Sequence, residues 1–167
     1  MATKNAAVRA FKTSVDIPAD SRTRIDRILI QHLADSFDLM SQVKQAHWNV
    51  KGSDFWQLHK LFDEVAERAA EWVDEFAERV TALGGYATGT VRMAAAASTL
   101  PEFPTDITES MDYVQAVAER LAAFTNSARA AIDATDKLGD ADTADLFTEI
   151  SRCADKYLYF LEAHLQG

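Results

Sequence analysis

Two histidines and three carboxylates carry the chemistry that this chain could perform: His47, His59, Asp63, Asp74 and Glu78. His59 and Asp63 are four residues apart, as are Asp74 and Glu78, and side chains so spaced share one face of a helix. Imidazole with carboxylate is a donor set suited to Fe(II), Zn(II) or Mn(II), and mixed N/O coordination leaves positions free for an oxidant. Spacing alone leaves a second account open, in which these are solvated helix acids beside two incidental histidines.

Height along a helix limits how the five can combine. Asp63 and Asp74 are eleven residues apart. Three helical turns bring their directions back to within about 20°, but they differ in height by about 16 Å. Bonds to a metal are about 2 Å long, so the upper and lower groups cannot ligate one ion within one chain. Two copies of this helix packed antiparallel about a twofold axis would bring His47, His59 and Asp63 of one against Asp74 and Glu78 of the other, giving two equal sites per dimer. The pattern thus predicts a homo-oligomer.

The elements that must position these residues are helices. The chain has 167 residues with only 3 Pro and 6 Gly, and 48% of it is apolar. That suits one all-α domain with a sizeable core. Apolar residues at Ile25, Ile28, Leu29, Leu33, Phe37, Met40 and Val43 predict a first long helix over about 21–50. Asp54 is placed to cap a second, whose stripe from Leu58 to Val80 runs to Gly84 and Gly85. Gly89, an Ala-rich stretch over 92–100, Pro101 and Pro104 predict a crossover containing one short helix. Asp106 with Glu109 reads as a capping box opening a third long helix, which ends near Lys137–Gly139, and a fourth runs from about Asp142 to Leu165. A long crossover joins parallel neighbours, so the order is the up-down-down-up of ferritin-like bundles.

Quoted as they stand, KQAHWNVKG at 44–52, F-x-x-L-H-x-x-F-D at 55–63 and D-x-x-x-E-R at 74–79 resemble the signature of the Dps family, the mini-ferritins named as DNA-binding proteins from starved cells. The likeness continues through LGG at 83–85, PTDI at 104–107 and DTAD at 142–145. It implies a ferritin-like four-helix bundle, a hollow dodecamer built from twofold dimers, and a ferroxidase site across each dimer interface. His47, His59 and Asp63 match the ligands of one subunit, and Asp74 and Glu78 match those of its partner. Two Fe(II) ions per site would give electrons to hydrogen peroxide, and Fe(III) would be stored in the shell, protecting DNA from oxidative damage. Zn(II) is the expected competitor. Trp48 adjoins His47 and is either an electron donor to a stray oxidant or a packing residue.

Charge marks two further places. The formal net charge is −9, which attracts cations and opposes nucleic acid. By the same resemblance, Asp142 and Asp145 are candidates for threefold pores that concentrate cations. Before Asp16 the chain has Lys4, Arg9 and Lys12 and no acid. Residues 1–20 therefore read as a flexible basic tail and 21–167 as the bundle. The tail could touch DNA phosphates, so the alternative function is that of a non-specific DNA-binding nucleoid protein. No membrane-spanning or signal segment is expected, and the expected location is the cytoplasm, with nucleoid association if DNA is bound. The lone Cys153 reads as a small packing residue.

Overall fold

Four amphipathic stripes need mutual cover, and the chain supplies it by folding them on one another. The structure, a computed structural model, describes residues 9–166. Its helices are α1 (Ala19–Asn49), α2 (Phe55–Ala82), α3 (Val91–Ala97), α4 (Ser110–Asp136) and α5 (Ala141–His164). The described residues contain no strand. α1 packs along α2, α4 along α5, and α1 also meets α3 and α4. The carboxyl ends of α2 and α4 and the amino ends of α1 and α5 share one end of the bundle, since Arg79 of α2 reaches Asp140 and Thr143. The long helices therefore run up, down, down and up, with α3 in the crossover.

At mid-bundle each long helix contributes one ring to a common cluster. His32 of α1 lies 4.7 Å from Phe147 of α5, 5.7 Å from Phe76 of α2 and 6.3 Å from Phe124 of α4, measured between centroids. Trp72 stacks on Phe124 at 5.3 Å. Phe62, Phe76, Phe124 and Phe147 are wholly buried, each worth about 1.5–3 kcal/mol in water-exposed surface removed.

Two helices end by the same device. After α2, Gly84 N–H bonds to Thr81 C=O at 3.0 Å and Gly85 N–H to Val80 C=O at 2.9 Å. After α4, Gly139 N–H bonds to Asp136 C=O at 2.9 Å and Asp140 N–H to Thr135 C=O at 3.2 Å. Gly84 and Gly139 both have φ of +86°, the left-handed conformation that a side chain disfavours and that this cap requires.

Two local expectations are corrected. α4 begins at Ser110, not at Asp106, and its N-cap Glu109 makes no side-chain capping bond. The cause is tertiary: Phe103 is buried, Arg120 donates to Glu102 C=O at 2.5 Å and Tyr113 to Ile107 C=O at 3.1 Å, and these hold the preceding stretch in an irregular, non-helical course. Asp54 precedes α2 without capping it by its side chain, because its oxygens accept from Ser53 and Gln57 instead. α1 starts at Ala19, and Phe11 N–H bonds to Gly84 C=O at 2.7 Å, tying residues next to the bundle onto the α2 turn.

His32 is fully hydrogen-bonded as the neutral ring, the form that its burial favours. Its Nδ1 faces Ile28 C=O at 2.8 Å and so donates, leaving Nε2 to accept from the Ser127 hydroxyl at 3.1 Å. Burial lowers its pKa below the usual 6.5. The folded pKa is lower than the unfolded one, so the favourable balance holds above about pH 6.5 and is lost as pH falls towards the folded value. We expect His32→Leu to gain in melting temperature relative to the unsubstituted chain as pH drops from 7.5 to 5. A difference between the two that does not vary with pH would contradict this account.

Candidate metal centre

The turn between α1 and α2 brings the two histidines together. It is short because α1 ends at Asn49 and α2 begins at Phe55, with Gly52 at φ +111° between them. His47 lies in the last turn of α1 and His59 in the first turns of α2. Their rings stack with centroids 3.6 Å apart and planes 21° from parallel.

A reciprocal pair of hydrogen bonds sets this geometry. His47 Nδ1 meets His59 C=O at 2.7 Å, and His59 Nδ1 meets His47 C=O at 2.9 Å. A carbonyl oxygen only accepts, so both Nδ1 atoms carry protons and both neutral rings keep their lone pair on Nε2. The main chain thus does for these rings what outer-shell acceptors do for metal-bound histidines, fixing tautomer and orientation.

Asp63 stands one turn further along α2. Its carboxylate receives the Lys44 ammonium at 2.5 Å, and its Oδ1 is 3.9 Å from His47 Nδ1. The Lys44 hydrogen bond holds the Asp63 carboxyl below the usual carboxylate range. Lys44 precedes His47 by three positions, one helical turn on the same face, and that spacing is the one signal in the sequence for its place at the site.

Asp74 and Glu78 lie on the exposed face of α2, nearer its carboxyl end. Among the described residues, no three His, Cys, Asp or Glu of one chain are grouped to hold a metal ion. The axial rise between Asp63 and Asp74 accounts for the division of the candidate set. Next to Glu78, Arg79 turns the other way, pairing with buried Asp140 at 2.7 Å and donating to Thr143 at 2.8 Å.

The remaining candidates are placed as follows. Trp48 is 64% exposed, so it is not a core packing residue of this chain. Asp142 and Asp145 are exposed in the first turns of α5; Asp142 lies 3.9 Å from Arg79. Asp140, by contrast, is buried and caps α5 by accepting from Thr143 N–H at 3.0 Å. Of the tail cations, Arg9 lies over the Phe11 ring at 5.2 Å, Lys12 is exposed, and Lys4 lies outside the described residues. No described helix is long and apolar enough to cross a membrane.

A family model described as a ferritin-like domain matches residues 27–167. The chain is 41% identical over 159 residues to the DNA protection during starvation protein of Agrobacterium fabrum, covering 95% of this chain and 98% of that one. The chain belongs to the Dps family of ferritin-like proteins. Among solved Dps structures, DpsC from Streptomyces coelicolor superposes with a TM-score of 0.90 at 30% identity, covering 99% of this chain and 97% of that chain. Dps from Microbacterium arborescens in its high iron form gives 0.83 at 31% identity, covering 90% and 97%.

The tautomer assignment can be measured directly. In 15N spectra of the unsubstituted protein at pH 7.5, His47 and His59 should both show Nδ1 in the protonated, pyrrole-like range and Nε2 in the pyridine-like range. The opposite pattern at either ring would remove the reciprocal arrangement.

Proposed function

We infer that this protein oxidises ferrous ion at sites built by two copies of the chain and stores the ferric product in a closed shell of such copies, a dodecamer built from twofold dimers. The observation that carries the reading is the stacked His47–His59 pair, whose Nδ1 atoms are both held by main-chain carbonyls so that the two Nε2 lone pairs stay available to an ion, with Asp63 one helical turn beyond His59. Fe(II) is the substrate. A relative of known structure is described in a high iron form, which supports iron as the ion handled over Zn(II), the competitor that this donor set would also accept.

Each site would take His47, His59 and Asp63 from one copy and Asp74 and Glu78 from the other. Two ferrous ions held together give two electrons to hydrogen peroxide, which takes up two protons and leaves as two waters. Paired delivery avoids the hydroxyl radical that one electron produces. For a substrate ion to reach Asp63, the Lys44 ammonium must give up its carboxylate, so loading displaces one positive charge by another. Trp48, exposed beside His47, is suited to supply an electron when only one ferrous ion is in place. The exposed Asp142 and Asp145 would draw cations toward the shell.

Coassembly tests the sharing. A His47→Ala, His59→Ala chain and an Asp74→Ala, Glu78→Ala chain should each lose rapid Fe(II)–peroxide oxidation, followed as ferric absorbance. Coexpressed in equal amounts they should recover about one quarter of the unsubstituted rate, because half the dimers are mixed and each mixed dimer has one intact site of two. Full activity in either variant alone, or no recovery on mixing, would end this reading.

A second reading, direct DNA binding, is favoured by the relatives called DNA protection during starvation proteins. It predicts a gel shift that weakens with salt and is lost when residues through Lys12 are deleted. No shift at low salt would remove it.

A further inference from the structure

At the end of the bundle far from the histidines, α1 and α4 part to leave a cleft of about 430 Å³ lined by Arg24, Arg27, Ile28, Ala134, Lys137 and Leu138. Arg24, Arg27 and Ile28 follow the i, i+3, i+4 spacing of one face of α1, and Ala134 stands on the last turn of α4 with Lys137 and Leu138 in the turn that follows it. The small Ala134 opens the space, Ile28 and Leu138 give an apolar floor, and three cations stand around it. No carboxylate lines the cleft, although the chain carries a net charge of −9.

Those cations have no evident structural task. Among the described residues, the ion pairs of Lys44, Arg68, Arg79, Arg120 and Arg129 account for the Lys and Arg partners of the carboxylates. Arg24, Arg27 and Lys137 are in none of them, nor do their side chains donate a hydrogen bond within the described residues. Lys137 is not needed to cap α4. The carbonyls of Asp133, Thr135 and Asp136 already take the N–H groups of Lys137, Leu138, Gly139 and Asp140. Arg24, Arg27 and Lys137 are exposed, and three like charges around one cleft repel with no carboxylate among them to offset it. A tetrahedral oxoanion relieves that repulsion, and guanidinium groups bind phosphate oxygens through paired N–H donors.

We propose that the Arg24–Arg27–Lys137 cleft is a binding site for phosphate groups. The phosphate can be free inorganic phosphate or the phosphodiester of a nucleic acid. Arg27 extends the site along α1, because it also lines the neighbouring cavity with Arg9. The site shares no residue with the metal-centre candidates, so its failure would leave the iron reading standing.

Equilibrium dialysis of the full assembled protein against radiolabelled inorganic phosphate, in the absence of iron, tests the proposal. Saturable binding is expected, and Arg24→Gln, Arg27→Gln should weaken it by about a hundredfold, about tenfold for each cation lost. Arg92→Gln, Arg152→Gln removes the same charge from exposed positions elsewhere and should leave affinity within about twofold. Duplex DNA that displaces the phosphate, with the same dependence on Arg24 and Arg27, identifies phosphodiester as the source. Phosphate binding that DNA does not disturb identifies the free ion. Arg27→Lys keeps the charge but not the paired donors, so its affinity should fall between that of the unsubstituted protein and that of Arg27→Gln. An absence of saturable binding of either ligand, or equal weakening by both double substitutions, would overturn the proposal.

Discussion

Two imidazoles that bond to each other's main-chain carbonyls across one tight turn are the constraint from which the candidate centre follows. The exchange needs α1 and α2 antiparallel, close, and in a single register. A slip of one residue in either helix would rotate a ring by about 100° and break both bonds. The core enforces that register from below: the stripe Leu58, Phe62, Val65, Ala69 faces Leu39, Val43 and Ala46 of α1 in one continuous cluster. Packing, main-chain hydrogen bonding and donor chemistry therefore agree at the place where function is proposed.

Charge is distributed in the same economical way. Cations close to the candidate ligands are committed: Lys44 to Asp63, Arg79 to Asp140. Because Arg79 faces the α4–α5 turn, the adjacent Glu78 keeps its negative field toward solvent and toward any second copy. The bridge itself joins a part-buried guanidinium to a buried carboxylate that also caps α5, so it does several structural tasks with one pair. A buried pair of this kind is weak evidence for net stability, but removing one partner leaves the other charge uncompensated.

The fold was largely legible because its signals are local and repeated. Apolar spacing located four long helices, and Gly84 and Gly139 marked their ends, since a left-handed cap is a local demand that few residues meet. What the sequence hid was set by tertiary contact. The Asp106–Glu109 pattern has the letters of a cap, but Phe103, Arg120 and Tyr113 hold that segment out of the helix. At the site, residue types and spacing picked out the histidines and carboxylates, whereas the Lys44–Asp63 pair and the use of carbonyls as partners needed the antiparallel packing to appear. His32 sits at a core position of the α1 stripe, four after Ile28 and between Leu29 and Leu33, so its burial was readable from periodicity. The cleft of Arg24, Arg27 and Lys137 was not, because its walls are more than a hundred residues apart in the chain.

The tie between Phe11 and Gly84 holds residue 11 at the α2 turn. α1 then climbs from Ala19 until its last turn reaches His47, a span of roughly 40–45 Å. A reporter attached to the exposed Lys12 would stand remote from the histidine turn of the same copy, while one joined near residues 50–54 would sit directly on it. Position 12 is accordingly the attachment point that leaves that turn unobstructed.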